Sequence, residues 1–149
     1  MDRFDTFTGS ILELYRCLQR LKDIEMRPLG LRPAHAICLY YLGKHPDGLT
    51  VTRLAEVSRE DKASVSRCVS QLIEQGLVDG NFPENKRSYG TKLRLTEEGQ
   101  ALAQKVYARV DAAVAGGGNG LTDEQRENLY SALNLINTNL SRYIKDREE

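Results

Sequence analysis

The chain has 149 residues, of which 40% are hydrophobic and 28% are charged, and its formal net charge is zero. This length and composition predict a globular protein with one core and exclude a disordered chain. No apolar stretch approaches the roughly 18 residues of a membrane span, and residues 1–10 lack the apolar run of a signal peptide. We therefore expect a cytoplasmic protein without a membrane partner.

Apolar residues recur at helical spacing in the first part of the chain. Residues 7–26 carry them at intervals of three and four, which predicts an amphipathic helix. Pro28 and Gly30 end this helix. Pro33 suits the first turn of a second helix, which extends to about residue 44, because a first-turn residue needs no N–H partner.

Two short helices separated by a polar turn are predicted next. Thr50 is a plausible N-cap for the first of them, and Asp61 for the second, which covers residues 62–75. Gly76 follows at the position where a left-handed residue commonly ends a helix. This arrangement predicts a helix-turn-helix.

A hairpin and two long helices complete the predicted element order. Residues 77–95 contain two short strand patterns around a polar tip, which is typical of a β-hairpin wing. Thr96 starts a fifth helix, and Thr122 starts the last helix with Gln125 as its capping-box partner. The predicted fold is mainly α with a small hairpin, a winged helix-turn-helix.

The exposed face of the predicted fourth helix carries short polar side chains and one arginine. Serine lowers helix propensity, so a face rich in serine suggests a role other than helix stability. Short hydroxyl groups allow close approach to phosphates and base edges, and an arginine can bind guanine bidentately. The segment 62–94 also carries six basic and three acidic residues, a local charge of +3 in a neutral chain. The predicted DNA-binding residues on the two short helices and the wing are Thr52, Arg53, Lys62, Ser64, Ser66, Arg67, Ser70, Gln71, Lys86, Arg87 and Ser88.

Four segments in this order resemble the MarR (multiple antibiotic resistance regulator) family. They are Gly-Leu-Arg-Pro-Ala-His at residues 30–35, Leu-Thr-Val-Thr-Arg-Leu-Ala-Glu at 49–56, Lys-Ala-Ser-Val-Ser-Arg-Cys-Val-Ser-Gln-Leu-Ile-Glu-Gln-Gly-Leu-Val at 62–78 and Leu-Arg-Leu-Thr-Glu-Glu-Gly at 93–99. The resemblance covers essentially the whole chain.

The resemblance implies a homodimer that binds a pseudo-palindromic operator in double-stranded DNA, commonly as a repressor. It also implies relief by a small phenolic or lipophilic effector, or by cysteine oxidation. The chain would then be a single domain, with a winged-helix lobe at about residues 31–95 and dimerisation helices at about 5–27 and 96–147.

The predicted wing departs from the family pattern at its tip. The family usually has Asp-x-Arg there, and the Asp orients the Arg. This chain has Asn85, Lys86 and Arg87 instead, so the ion pair is lost. The departure leaves open a second interpretation, a winged-helix adaptor that binds proteins and not DNA.

Candidate effector, redox and metal residues are weaker features of the sequence. A cleft between the terminal helices and the DNA-binding lobe could be lined by Tyr15, His35, Tyr40 and Tyr107. Cys17 follows Arg16, which could favour a thiolate, so an oxidation-sensing regulator is a further alternative.

Three cysteines without a Cys-x-x-Cys motif and two separated histidines predict neither a disulfide framework nor a metal site. No cofactor loop or catalytic set is present, so we expect no cofactor and no enzyme activity.

Overall fold

The computed structural model describes residues 2–80 and 90–149, which are mostly helical. The chain divides into two compact units, residues 1–110 and residues 111–149. The helices are α1 (Arg3–Met26), α2 (Pro33–Lys44), α3 (Val51–Ser58), α4 (Lys62–Glu74), α5 (Glu97–Gly117) and α6 (Asp123–Glu148), with one 3-10 turn at Arg27–Leu29.

Side-chain caps determine where several helices begin. The hydroxyl of Thr50 accepts the N–H of Arg53 at the start of α3, and Thr122 forms the predicted capping box with Gln125 at the start of α6. These predictions are confirmed. The predicted start of α1 at residue 7 is wrong, because the carboxylate of Asp2 accepts the N–H of Asp5 at 2.7 Å and starts the helix four residues earlier.

Gly76 ends α4 in the left-handed conformation, with φ at 74°. Its N–H donates to the carbonyl of Ile73, and the N–H of Leu77 donates to the carbonyl of Leu72. This pair of bonds is a Schellman motif, which satisfies carbonyls that the helix leaves without intrahelical partners. The chain is thereby turned from α4 directly towards the predicted hairpin.

The core of the first unit lies among α2, α3 and α4. Its fully buried side chains include Leu39 of α2, Leu54 of α3 and Leu72 of α4. Burial of one such side chain contributes roughly 1.5–3 kcal/mol relative to exposure. The packing therefore fixes α4 against two other helices, and within residues 2–80 and 90–149 its opposite face is exposed.

Two antiparallel bridges form the base of the predicted hairpin. Val78 pairs with Leu95, as expected for the two sides of a hairpin stem. Leu93 also pairs with Leu49, which precedes α3, so a third stretch of chain joins this small sheet. The predicted tip lies outside the described residues.

The apolar stripes of α1 and α6 are largely exposed, each within its own unit. In α1 only Met26 is buried, and in α6 no residue is. Leu14 and Leu18 of α1 are 53% and 47% exposed, and Leu140 and Tyr143 of α6 are 50% and 56% exposed. Such contiguous apolar faces are unusual for a monomer and mark interaction surfaces.

Candidate nucleic-acid interface

The outer side of α3 carries the predicted backbone contacts Thr52 and Arg53, both exposed. Arg53 Nη1 lies 2.9 Å from Glu56 Oε2, and the two side chains are 62% and 57% exposed. An exposed ion pair contributes about 0–1 kcal/mol. The guanidinium can therefore exchange this carboxylate for a phosphate at little cost.

The start of α4 is held by Asp61. Its carboxylate accepts the N–H of Ser64 at 3.0 Å, and this hydrogen bond lowers the pKa of the Asp61 carboxyl below its usual range. Lys62, the first residue of the helix, is exposed beside this cap. The first turn of α4 is thus held by a side-chain cap.

The uncovered face of α4 presents the predicted base-contacting residues. Ser66 and Arg67 are exposed, whereas Ser64, Ser70 and Gln71 are half-buried along its margins. Arg67 Nη2 donates to Ser64 Oγ at 3.1 Å, which holds the guanidinium along the helix surface. A guanidinium in this position offers its remaining donors to a phosphate or a guanine edge.

Arg32 is a further cation outside the predicted set of DNA-binding residues. It is the exposed N-cap residue of α2. Burial raises the pKa of the Cys68 thiol of α4, and the positive charges of Arg32 and Arg67 oppose that rise. Arg32 is therefore close enough to α4 for its charge to act on Cys68. No local pattern indicates this, because Arg32 and α4 are brought together only by the packing of α2.

The predicted wing contacts Lys86, Arg87 and Ser88 lie outside the described residues, as does Asn85. The stem next to them is tied to the turn before α3. Arg94 Nε donates to the carbonyl of Asp47 at 3.2 Å. The base of the hairpin is therefore anchored to the helix-turn-helix.

A cavity of about 320 Å³ lies beside the helix-turn-helix, within the first unit. It touches α1, α2, α5 and the turn that leads into α4. Its lining is mainly apolar and tyrosine-rich, with one cation and one anion: Lys22, Met26, Pro33, Ala36, Ile37, Tyr40, Tyr41, Ser58, Glu60, Val106 and Val110. A small aromatic or lipophilic molecule suits such a lining.

The four residues that were expected to form an effector pocket lie in different places. Tyr40 lines the cavity. Tyr107 lies against Tyr40, with ring centroids 5.3 Å apart, and its hydroxyl donates to the Tyr40 carbonyl at 3.1 Å. Burial raises the pKa of Tyr107. His35 is buried against Gln71 of α4, and Tyr15 is exposed on α1 beside Gln19.

The three thiols differ in environment. Cys17, the predicted redox residue, is exposed. Cys38 is buried, and burial together with the neighbouring Cys68 raises the pKa of its thiol to about 12. A thiol with so high a pKa is a poor nucleophile near neutral pH. Among the described residues, no group of three or more His, Cys, Asp or Glu side chains could hold a metal ion.

Residues 29–88, a range that includes α2, α3 and α4, match the sequence model of the MarR family. The Bacillus subtilis protein YybA, an uncharacterised HTH-type transcriptional regulator, is 24% identical over 133 residues, which cover 87% of each chain. This chain is thus similar to the MarR family in its helix-turn-helix segment and to one HTH-type regulator over most of its length.

Solved MarR family structures have the same fold. A regulator from Neisseria meningitidis superposes with a TM-score of 0.80 over 99% of both chains, at 20% identity. The Staphylococcus aureus MarR in complex with salicylate and kanamycin gives a TM-score of 0.75 at 20% identity, covering 93% of this chain and 92% of that one. The predicted mainly helical, winged-helix class is confirmed, whereas the wing stays a prediction.

The match to the MarR family model and the similarity to YybA indicate a transcription regulator with a DNA-binding helix-turn-helix. Proteins of the family are generally not enzymes, which supports the expectation that this one has no catalytic activity. In the part of the chain that the structure describes, no helix is long and apolar enough to cross a bilayer.

Proposed function

We propose that this protein is a regulator of the MarR family, a homodimeric repressor of a pseudo-palindromic operator, and that a small effector releases it. The observation that carries the proposal is the uncovered face of α4. There, Arg67 is held by Ser64 while the opposite face of the helix is buried. A helix presented in this way fits the major groove, with arginine directed at guanine or phosphate.

The exposed apolar stripes support the dimer. A second copy of the chain would cover the faces of α1 and α6 that are uncovered in one copy. Two recognition helices related by a two-fold axis would then contact successive major grooves about 34 Å apart. Because such a protein acts on chromosomal DNA, we place it in the cytoplasm.

The cavity supports a small phenolic or lipophilic effector. Two residues of its lining flank the turn between α3 and α4: Ser58 ends α3, and Glu60 directly precedes the Asp61 cap of α4. A ligand that fills the cavity would press on the turn that sets the position of the recognition helix. An effector that binds this conformation and the DNA-bound conformation with unequal affinity shifts the population of the regulator towards the conformation that it binds better.

DNA binding is tested by fluorescence anisotropy on duplex from immediately upstream of the regulator's own gene, with scrambled duplex as reference. We expect Arg67→Ala to reduce the preference for the upstream duplex about tenfold or more, because it removes a base or phosphate contact. Arg20→Ala, on the polar face of α1, is the matched control and should bind as the native protein does. A rise in salt should weaken binding steeply.

Two results would contradict this proposal in different ways. Equal affinities of Arg67→Ala and Arg20→Ala for the upstream duplex would remove α4 from the interface. Absence of binding to any duplex at low salt, including a randomised pool, would favour the protein-binding adaptor.

The effector site is tested by adding salicylate, a probe chosen because the Staphylococcus aureus relative is in complex with it. We expect salicylate to lower the DNA affinity of the native protein. Ile37→Trp should abolish this response, because the indole would fill the cavity that Ile37 lines. Ile24→Trp, at an exposed position on α1, is the control and should retain the response. Retention of the response by Ile37→Trp would exclude the cavity as the site.

A further inference from the structure

A buried histidine of α2 contacts the recognition helix. His35 Nε2 lies 2.6 Å from the side-chain oxygen Oε1 of Gln71, which is 36 residues further along the chain. Among residues 2–80 and 90–149, His35 is the only polar side chain that is buried, at 5% exposure. A buried polar group makes a hydrogen bond or costs free energy, so this contact is a fixed part of the packing.

The chemistry of the contact assigns the proton. An amide oxygen can only accept, so His35 Nε2 must carry the hydrogen and donate it. The other histidine is in the opposite state: His45 Nδ1 lies 2.8 Å from the carbonyl oxygen of Tyr41, so its proton is on Nδ1. The His45 ring is therefore an internal reference when the tautomer of the His35 ring is measured.

Gln71 stands where the packed side of α4 meets its uncovered face. It follows Arg67 by four residues, a spacing that places two helical side chains next to each other on the same face. It is half-buried, and its Oε1 contacts His35 of α2. With Oε1 bound to His35, the NH₂ group is the part of the carboxamide left for another partner.

We propose that His35 is a positioning residue for base recognition, which turns Gln71 into a hydrogen-bond donor only. This inference rests on the proposed function, in which α4 occupies a major groove. A free glutamine pairs bidentately with adenine, accepting from N6 and donating to N7. A glutamine whose oxygen is held inward cannot do so, and it favours base edges that offer acceptors: guanine O6 and N7, or thymine O4.

The hydrogen bond is tested without DNA. Long-range ¹⁵N–¹H spectra of the full-length ¹⁵N-labelled protein distinguish the imidazole tautomers, and His35→Gln identifies the His35 signals. We expect a proton on Nε2 of His35 and on Nδ1 of His45. A neutral His35 ring with its proton on Nδ1 would overturn the proposal, since Gln71 would then turn its NH₂ group inward.

Base recognition is tested by selecting binding sites from randomised duplex with the native protein and four variants. His35→Phe removes the donor and should increase acceptance of adenine at one operator position about tenfold. His35→Gln, which can still donate to Gln71, should keep the native preference. Gln71→Ala should lose the native base preference at that position. Adding His35→Phe to Gln71→Ala should cause no further change in base preference. Thermal denaturation of each variant shows that it is folded.

Two outcomes overturn the assignment. One is that a folded His35→Phe protein keeps the native base preference at every operator position. The other is an altered preference that persists when Gln71 is already alanine, since His35 would then act by another route. If the native protein selects no sequence at all, the proposed function fails together with the specificity role, whereas the tautomer experiment still reports the bond itself.

Discussion

Single side chains set the start of the recognition helix. Asp61 accepts the N–H of Ser64, and the lowered pKa of its carboxyl shows that the folded state favours the ionised form. A carboxyl with a depressed folded-state pKa contributes stability above its unfolded pKa, about 3.9, and loses that contribution as pH falls through the folded value. The cap on α4 therefore depends on pH only in the acidic range.

We expect Asp61→Ala to lower the melting temperature near neutral pH, because the N–H of Ser64 loses its acceptor. The difference from the native protein should be constant down to about pH 5 and shrink below about pH 4. Asp61→Asn, which caps without titrating, is the control, and its advantage over alanine should not change with pH. Melting curves from about pH 6 to pH 2.5 measure this. If the native protein still melts above Asp61→Ala by the same margin at the lowest pH, the ionised carboxylate is not the source of the difference.

Helices α2 and α5 come into close contact at a position that has no side chain. Gly43 of α2 lies against Tyr107 of α5, and a Cβ at position 43 would overlap the Tyr107 hydroxyl. The same hydroxyl donates to the Tyr40 carbonyl, and Tyr40 lines the cavity. The absence of a side chain at Gly43 thus sets the distance between two helices that enclose the candidate effector site.

Gly43→Ala should destabilise the fold by about 1–3 kcal/mol, the usual cost of overpacking. Tyr107→Phe removes the hydroxyl that the new methyl group meets, so in the Gly43→Ala background it should recover part of the loss. In the native background Tyr107→Phe should destabilise, because it removes the bond to Tyr40. Urea denaturation of the four proteins completes the double-mutant cycle. If the two losses of stability are additive, with no recovery in the double variant, the contact with the Tyr107 hydroxyl is not what requires glycine at position 43.

Among the described residues of one copy, the apolar face of α6 is largely exposed. Leu129, Leu140 and Tyr143 of α6 recur at helical spacing and are each about half exposed, at 46%, 50% and 56%. Burial of such a stripe contributes about 25 cal/mol for each Å² removed from water. Two copies of the chain can each supply the same stripe, which is the requirement for a two-fold interface.

We expect the native protein to sediment as a dimer at micromolar concentration. Leu140→Glu should shift the equilibrium towards the monomer, because its carboxylate would be buried against the apolar stripe of the second copy. Leu135→Glu is the matched control. Leu135 is 61% exposed and lies about 140° around α6 from Leu140, so its charge should leave the dimer intact. A monomeric native protein would contradict the two-fold geometry, and equal dissociation by both variants would place the interface elsewhere.

Helix positions and helix starts were predictable from the order of residues along the chain. Periodicity located α2 and α4, and the caps Thr50, Asp61 and Thr122 were identified correctly because a cap acts within three or four residues. The early start of α1 was missed because the cap at Asp2 precedes the apolar pattern.

Contacts between distant segments required the tertiary structure. The bond from His35 to Gln71 spans 36 residues, and the pairing of Leu49 with Leu93 crosses the whole helix-turn-helix. Periodicity shows that a side chain faces inward, but the packing of separate helices decides which side chain it meets. The residues alone therefore determined most of the helices and the exposed face of α4. Helix packing decided that His35 contacts Gln71 of α4 and that the charge of Arg32 acts on Cys68.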